Sequence, residues 1–153
     1  MKTSRETIEV LNDLIEIHND RIKGYERATK ELKKDDGDLK TLFAVFIDQS
    51  RQNIMALGKE VQALGSDVDR NTTLSGKIYR AWMHVKAVFT GHDRHNILEN
   101  CEFGEDAALK AYNAVFRSRD LPESLKHMIV KQHELLLKSH NKVKDLRDQY
   151  ATS

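Results

Sequence analysis

Residues 65–76 read Gly65-Ser66-Asp67-Val68-Asp69-Arg70-Asn71-Thr72-Thr73-Leu74-Ser75-Gly76. On both sides of this stretch apolar residues recur three and four apart, and inside it that rhythm stops. Gly65 suits a left-handed helix stop, residues 66–74 are loop-like, and Ser75 can cap a new helix. That shorter helix is expected over about 76–89, with Ile78, Trp82, Val85, Val88 and Phe89 on or near one face, and Thr90-Gly91 ends it. Such a connection, with structure of its own, is long enough to travel the length of a helical bundle.

The flanking segments are longer. A first helix is expected over about 4–34, on Ile8, Leu11, Ile15, His18, Ile22, Tyr25 and Leu32. Thr3 and Glu6 have capping-box spacing, and Lys33 and Lys34 suit the negative end of the helix dipole. Asp35-Asp36-Gly37 makes a short turn. A second helix follows over about 38–64, on Leu42, Phe43, Phe46, Ile47, Ser50, Asn53, Ile54, Leu57, Val61 and Leu64. Gly58 lies inside it at a cost of about 1 kcal/mol relative to Ala. A third runs over about 93–117, on Ile97, Leu98, Cys101, Glu105, Ala108, Leu109, Tyr112, Val115 and Phe116. Asp120 and Glu123 repeat the capping-box spacing, Pro122 suits a first turn, and a fourth helix extends to about 148. Its inner face is Leu125, Met128, Ile129, Gln132, Leu135, Leu136, Ser139, Val143 and Leu146.

The connections are therefore short, long, short. Two antiparallel hairpins joined by one long crossover make the ferritin-like arrangement; an up-down-up-down bundle needs no such crossover. The expected fold is all-α: a ferritin-like antiparallel four-helix bundle, its long crossover carrying an extra short helix, in one domain over 1–153. Composition agrees. The chain has 153 residues, 32% of them charged, with one proline and seven glycines. Its net charge of +1 argues against a DNA-coating or membrane-coating role. No apolar run spans a bilayer, no secretory signal is evident, and the lone Cys101 fits a reducing compartment. The cytoplasm is the expected location, and the Asn71-Thr72-Thr73 sequon is read as chance.

Each stripe is interrupted by polar residues near its middle: His18 with Asp20, Ser50 with Asn53, Glu105, and Gln132 with His133. Reflection through the two short turns sets position 20 against 52 and 105 against 135, so these interruptions share one level. Ferritin-like di-iron centres lie at that level. They take a carboxylate from each of two helices and Glu-x-x-His from each of the other two. No Glu-x-x-His occurs in this chain: the corresponding pairs read Ser50-x-x-Asn53 and Gln132-x-x-Leu135. Two irons need several anionic ligands, and Glu105 is the one firm carboxylate.

Two readings follow. In the first, Glu105 is a buried acid satisfied by neighbours such as His18, Arg51, Tyr25, Gln132 or His140, within a layer formed by Tyr25, Ser50, Arg51, Asn53 and Gln132. The bundle then has no catalytic residue and needs no cofactor. In the second, a reduced iron or manganese site uses Glu105, Asp20, His18, Glu102 and His140, in an oxidoreductase or iron handler. His92 and His95 form a solvated cap more readily than a metal site. His133 and His140 could chelate only with a third group. Cys101 reads as inert core. If the face of Trp82 and Phe89 is exposed, it offers a dimer surface, and self-association is expected.

Several phrases resemble a known group. They are Glu9-Val10-Leu11-Asn12-Asp13-Leu14-Ile15, Gly24-Tyr25 with Ala28, Arg51 with Leu57, Gly76 with Arg80, Trp82 and Lys86, Gly104-Glu105-Asp106-x-Ala108 leading to Tyr112, and His140. In order and spacing the chain resembles the bacterial ferritin-like family catalogued as domain of unknown function 2383, over nearly its whole length. The resemblance implies a ferritin-like bundle and no established reaction. Kinship with ferritins and rubrerythrins implies a metal-related or stress-related ancestry.

Overall fold

A computed structural model of the chain describes residues 4–66, 94–118 and 121–151. Four α-helices occupy them: α1 (Ser4–Glu31), α2 (Gly37–Ala63), α3 (Arg94–Ser118) and α4 (Glu123–Ala151), with a 3-10 turn at Lys34–Asp36. No strand occurs among the described residues. The expected helix at 76–89, with Trp82 and Phe89, lies outside them, as do Thr3, His92 and Asp120.

The first connection is tighter than a glycine turn. The Lys33 N–H donates to the Asp36 carboxylate at 3.0 Å, and Gly37 is already helical at φ −57°. The left-handed stop falls at Gly65, with φ +81°, where its N–H closes on the Gln62 carbonyl at 2.9 Å. A side chain there would be strained. Pro122 precedes α4, and its carbonyl accepts the Lys126 N–H at 2.9 Å. A proline suits that place because only its carbonyl is needed.

α1 packs against both α2 and α3, and α3 against α4. Ser139 of α4 donates to Gln49 of α2 at 3.3 Å. Two flanking helices explain why the apolar surface of α1 is wider than one stripe. Val10, Leu14 and Ile17 are buried along with Leu11, Ile15 and Tyr25, whereas Ile8, Ile22 and Leu32 are only half-buried. The core continues through Leu39, Phe43, Phe46, Leu57 and Val61 of α2, Ile97, Leu98, Cys101 and Ala108 of α3, and Ile129, Leu136 and Val143 of α4. Leu64, expected inside, is exposed, because the helix ends at Ala63 and Leu64 belongs to the turn.

Chain direction is fixed at one end of the bundle. Arg94, at the start of α3, donates to Asp36 at 3.1 Å and to Asp38 at 2.8 Å, and a second nitrogen pairs with Asp38. Asp36 and Asp38 flank the start of α2, so α2 and α3 begin at the same end and run parallel. The Arg94 hydrogen bond, and then its charge, hold the Asp38 carboxyl down at about 2. Arg94→Ala should cost about 1 kcal/mol, near the upper end for a partly exposed network. Because the folded-state pKa is depressed, Asp38's share is present above about pH 4 and fades as pH falls towards 2. Urea unfolding at pH 7 and pH 2.5 checks this: the difference between the variant and the parent should be clearly smaller at the second than at the first.

Candidate functional site

Helical spacing brings Leu14, His18, Arg21, Tyr25 and Ala28 of α1 onto one seam, in steps of four and three. The polar members meet partners from α2 and α3, and through Tyr112 the row reaches α4. The Arg21 guanidinium is wholly buried, as is Glu105 of α3. Its Nε donates to one Glu105 carboxylate oxygen at 2.6 Å and an Nη to the other at 2.9 Å. The second Nη donates to the Phe46 carbonyl at 3.0 Å and to Ser50 Oγ at 2.9 Å. The guanidinium carbon lies 5.3 Å from the centroids of both the Tyr25 and Phe46 rings. A planar fork with donors on several edges fits this position, and a lysine ammonium would not.

Ser50 Oγ also lies 2.9 Å from His18 Nδ1. His18 Nε2 lies 2.6 Å from the Tyr112 hydroxyl, which donates to Gln132 Oε1 at 2.9 Å. These contacts fix the proton positions. Tyr112 gives its hydrogen to Gln132, so His18 must donate to it through Nε2. Nδ1 is then the acceptor, and Ser50 donates to it while accepting from Arg21. The row reads Arg21, Ser50, His18, Tyr112, Gln132, every hydrogen pointing from the Arg21 end towards Gln132, with His18 accepting at Nδ1 and donating at Nε2. The Gln132 amide nitrogen is buried without a protein partner.

Electrostatics follow from burial and from the arginine. Burial, and then the Arg21 charge, push His18 down to about 3, so the imidazole is neutral at ordinary pH. Burial lowers the Arg21 pKa, but the Glu105 charge and hydrogen bonds outweigh it and leave the group raised. Burial and then the Glu105 charge hold Tyr25 well above its ordinary value. Burial raises Tyr112.

The residues singled out from sequence separate into two places. His18, Asp20, Tyr25, Ser50, Glu105 and Gln132 are buried. Asn53 is half-buried, and its nitrogen approaches His18 only to 3.5 Å, too long to count as a firm bond. Glu102 and His140 lie apart, on the α3–α4 edge. His140 Nε2 is 3.4 Å from Glu102, and Arg147 reaches the other Glu102 oxygen at 2.8 Å. His133 stacks edge-on against Phe116 at 5.5 Å.

Arg51, expected in the polar layer and as a partner of Glu105, is exposed. One residue is about 100° of helix, and that step carries Arg51 from the inward direction of Ser50 round to the solvent side of α2. The arginine of the layer is Arg21, which the sequence reading missed by carrying the stripe through Ile22. Its signal was the spacing from His18 and Tyr25.

The donors here do not fit a di-iron centre of the ferritin kind. Both Glu105 oxygens and both His18 nitrogens already hold protein partners, and the cationic place beside Glu105 is taken by Arg21. No group of three or more His, Cys, Asp or Glu residues suited to a metal occurs among the described residues. No described helix is long and apolar enough to cross a membrane. No curated protein matches the chain. A family model described as a domain of unknown function (DUF2383) matches residues 6–118, which takes in α1, α2, α3 and the whole Arg21–Glu105–His18–Tyr112 cluster. The chain therefore belongs to that family of unknown function.

Proposed function

We propose that this chain is a single-domain, ferritin-like bundle without catalytic activity, whose centre is held by an internal cation instead of a metal. The observation that carries the reading is the bidentate Arg21–Glu105 pair, closed off from solvent at the level where a di-metal site would lie. A guanidinium there supplies the positive charge a carboxylate needs, and Ser50, His18, Tyr112 and Gln132 tie the remaining helix to it. A buried polar layer hydrogen-bonded across the helices in this way fixes helix register. The ferritin-like topology is supported by the parallel course of α2 and α3, which calls for a long return between them. Self-association in the cytoplasm belongs to the same reading. Near-neutral charge supports a partner other than nucleic acid. The link to stress rests on architectural kinship with ferritins and rubrerythrins.

Elemental analysis of untagged protein purified without chelator tests the reading. Iron and manganese should both be far below one atom per chain. Stoichiometric metal that is lost in Glu105→Ala but retained in Glu102→Ala would replace it with a metal-handling function at the bundle centre.

A further inference from the structure

The outward face of α2 carries two shallow hollows. One is lined by Lys40, Thr41, Ala44, Val45, Asp48 and Gln49, the other by Gln52, Met55, Ala56, Lys59 and Glu60 together with Met128 of α4. Five α2 positions of one hollow mirror five of the other: 48 and 52, 45 and 55, 44 and 56, 41 and 59, 40 and 60 are each equidistant from 50; Gln49 and Met128 stand outside this pattern. Ser50 points into the core, so the face opposite it points straight out. At about 100° per residue, Thr41, Asp48, Gln52 and Lys59 fall within about 20° of that outward direction, and Val45 and Met55 flank it on opposite sides. Met55 is 63% exposed, the most of any large apolar side chain among the described residues, and Val45 is 48% exposed.

We propose that this face docks a second copy of the same chain, with the two α2 helices antiparallel about a twofold axis level with Ser50. The inference rests on the self-association named above and supplies its surface. A twofold axis perpendicular to the helix pair sets each position of one copy level with its mirror position on the other. Val45 of each copy then shares a layer with Met55 of the other, as knobs do in an antiparallel helix pair. Asp48 comes level with Gln52, and the small Ala44 and Ala56 leave room at the edges.

The charges agree. Among the described residues Arg51 is exposed and has no ion-pair partner, and Asp48 accepts from Gln52 at 2.8 Å. In the antiparallel pair Arg51 of each copy lies one residue rise from Asp48 of the other, on the same flank. Both unneutralised charges are paired, twice per dimer. The residue expected from sequence to stabilise the interior thus gains a use outside it.

Sedimentation equilibrium of the full chain, from about 1 to 100 µM, tests the proposal, because one helix face gives an interface of modest size. The parent should dimerise. Asp48→Arg and Arg51→Asp should each weaken the dimer about tenfold or more by setting like charges level. Mixing the two variants should restore association as a heterodimer, since each then meets its opposite. Met55→Glu should leave a monomer with unchanged helical content. A parent that stays monomeric at 100 µM overturns both the surface and self-association. A dimer indifferent to all three substitutions, or a mixture no tighter than either variant alone, overturns the surface and leaves self-association standing.

Discussion

Arg21→Met should lower the stability of the bundle by about 3–5 kcal/mol, the usual cost of leaving one member of a buried ion pair without its counter-charge. The substitution keeps the apolar stem and removes every donor that Glu105, Ser50 and the Phe46 carbonyl use. For a chain of this length that is on the order of 10 °C in melting temperature. Glu105→Gln should cost a similar amount from the other side, because it leaves the guanidinium buried with a neutral partner. The double variant Arg21→Met/Glu105→Leu should recover most of the loss, because well-packed apolar residues often replace a buried ion pair at little net cost. The two single losses would then be strongly non-additive. Urea midpoints of the four proteins read all of this directly. An Arg21→Met protein that unfolds at the parent's midpoint would sink the claim that this pair organises the centre.

The second large effect concerns His18 and is a pH effect. Its pKa is 6.5 in the unfolded chain and about 3 in the folded one. Between those values the unfolded state binds a proton that the folded state refuses. Stability therefore falls as pH drops below about 6.5, by about 1.4 kcal/mol per pH unit, and this loss levels off only near pH 3. His18→Gln removes the contribution. The parent should lose about 2 kcal/mol more than the variant between pH 6.5 and pH 4.5, whatever the two stabilities are at neutral pH. Urea unfolding at several pH values measures the difference, and parallel pH curves for the two proteins would contradict the buried neutral imidazole. In nitrogen NMR, the His18 ring of the folded protein should keep the neutral pattern, protonated at Nε2, down to about pH 4.

The helices were legible because their signals are local. Gly65 marks a stop that only a positive φ satisfies, and Pro122 marks the start of α4. Glu105 stood out because a carboxylate on a seam of Cys101, Ala108 and Tyr112 needs an explanation. The partner did not stand out. Arg21 and Glu105 are separated by 84 positions, and no local rule joins residues so far apart. Arginine is also common on helix flanks, where its stem covers apolar surface and its head reaches water, so nothing local sets Arg21 apart. Arg51 is one of the cations the sequence offers to Glu105, but it follows Ser50 directly, and adjacency in a helix is more than a quarter-turn of separation. The width of the buried surface of α1 was hidden for a related reason. A helix packed by two neighbours carries two overlapping seams, and choosing one stripe discards the other.

The position of the ion pair has one more consequence. Arg21 belongs to the α1–α2 hairpin and Glu105 to the α3–α4 hairpin. Each hairpin alone holds one half of a charge couple amid apolar surroundings, and neither can close over it at tolerable cost. Assembly of the halves is therefore obligatory, and the molecule should melt as one cooperative unit with no half-folded resting state.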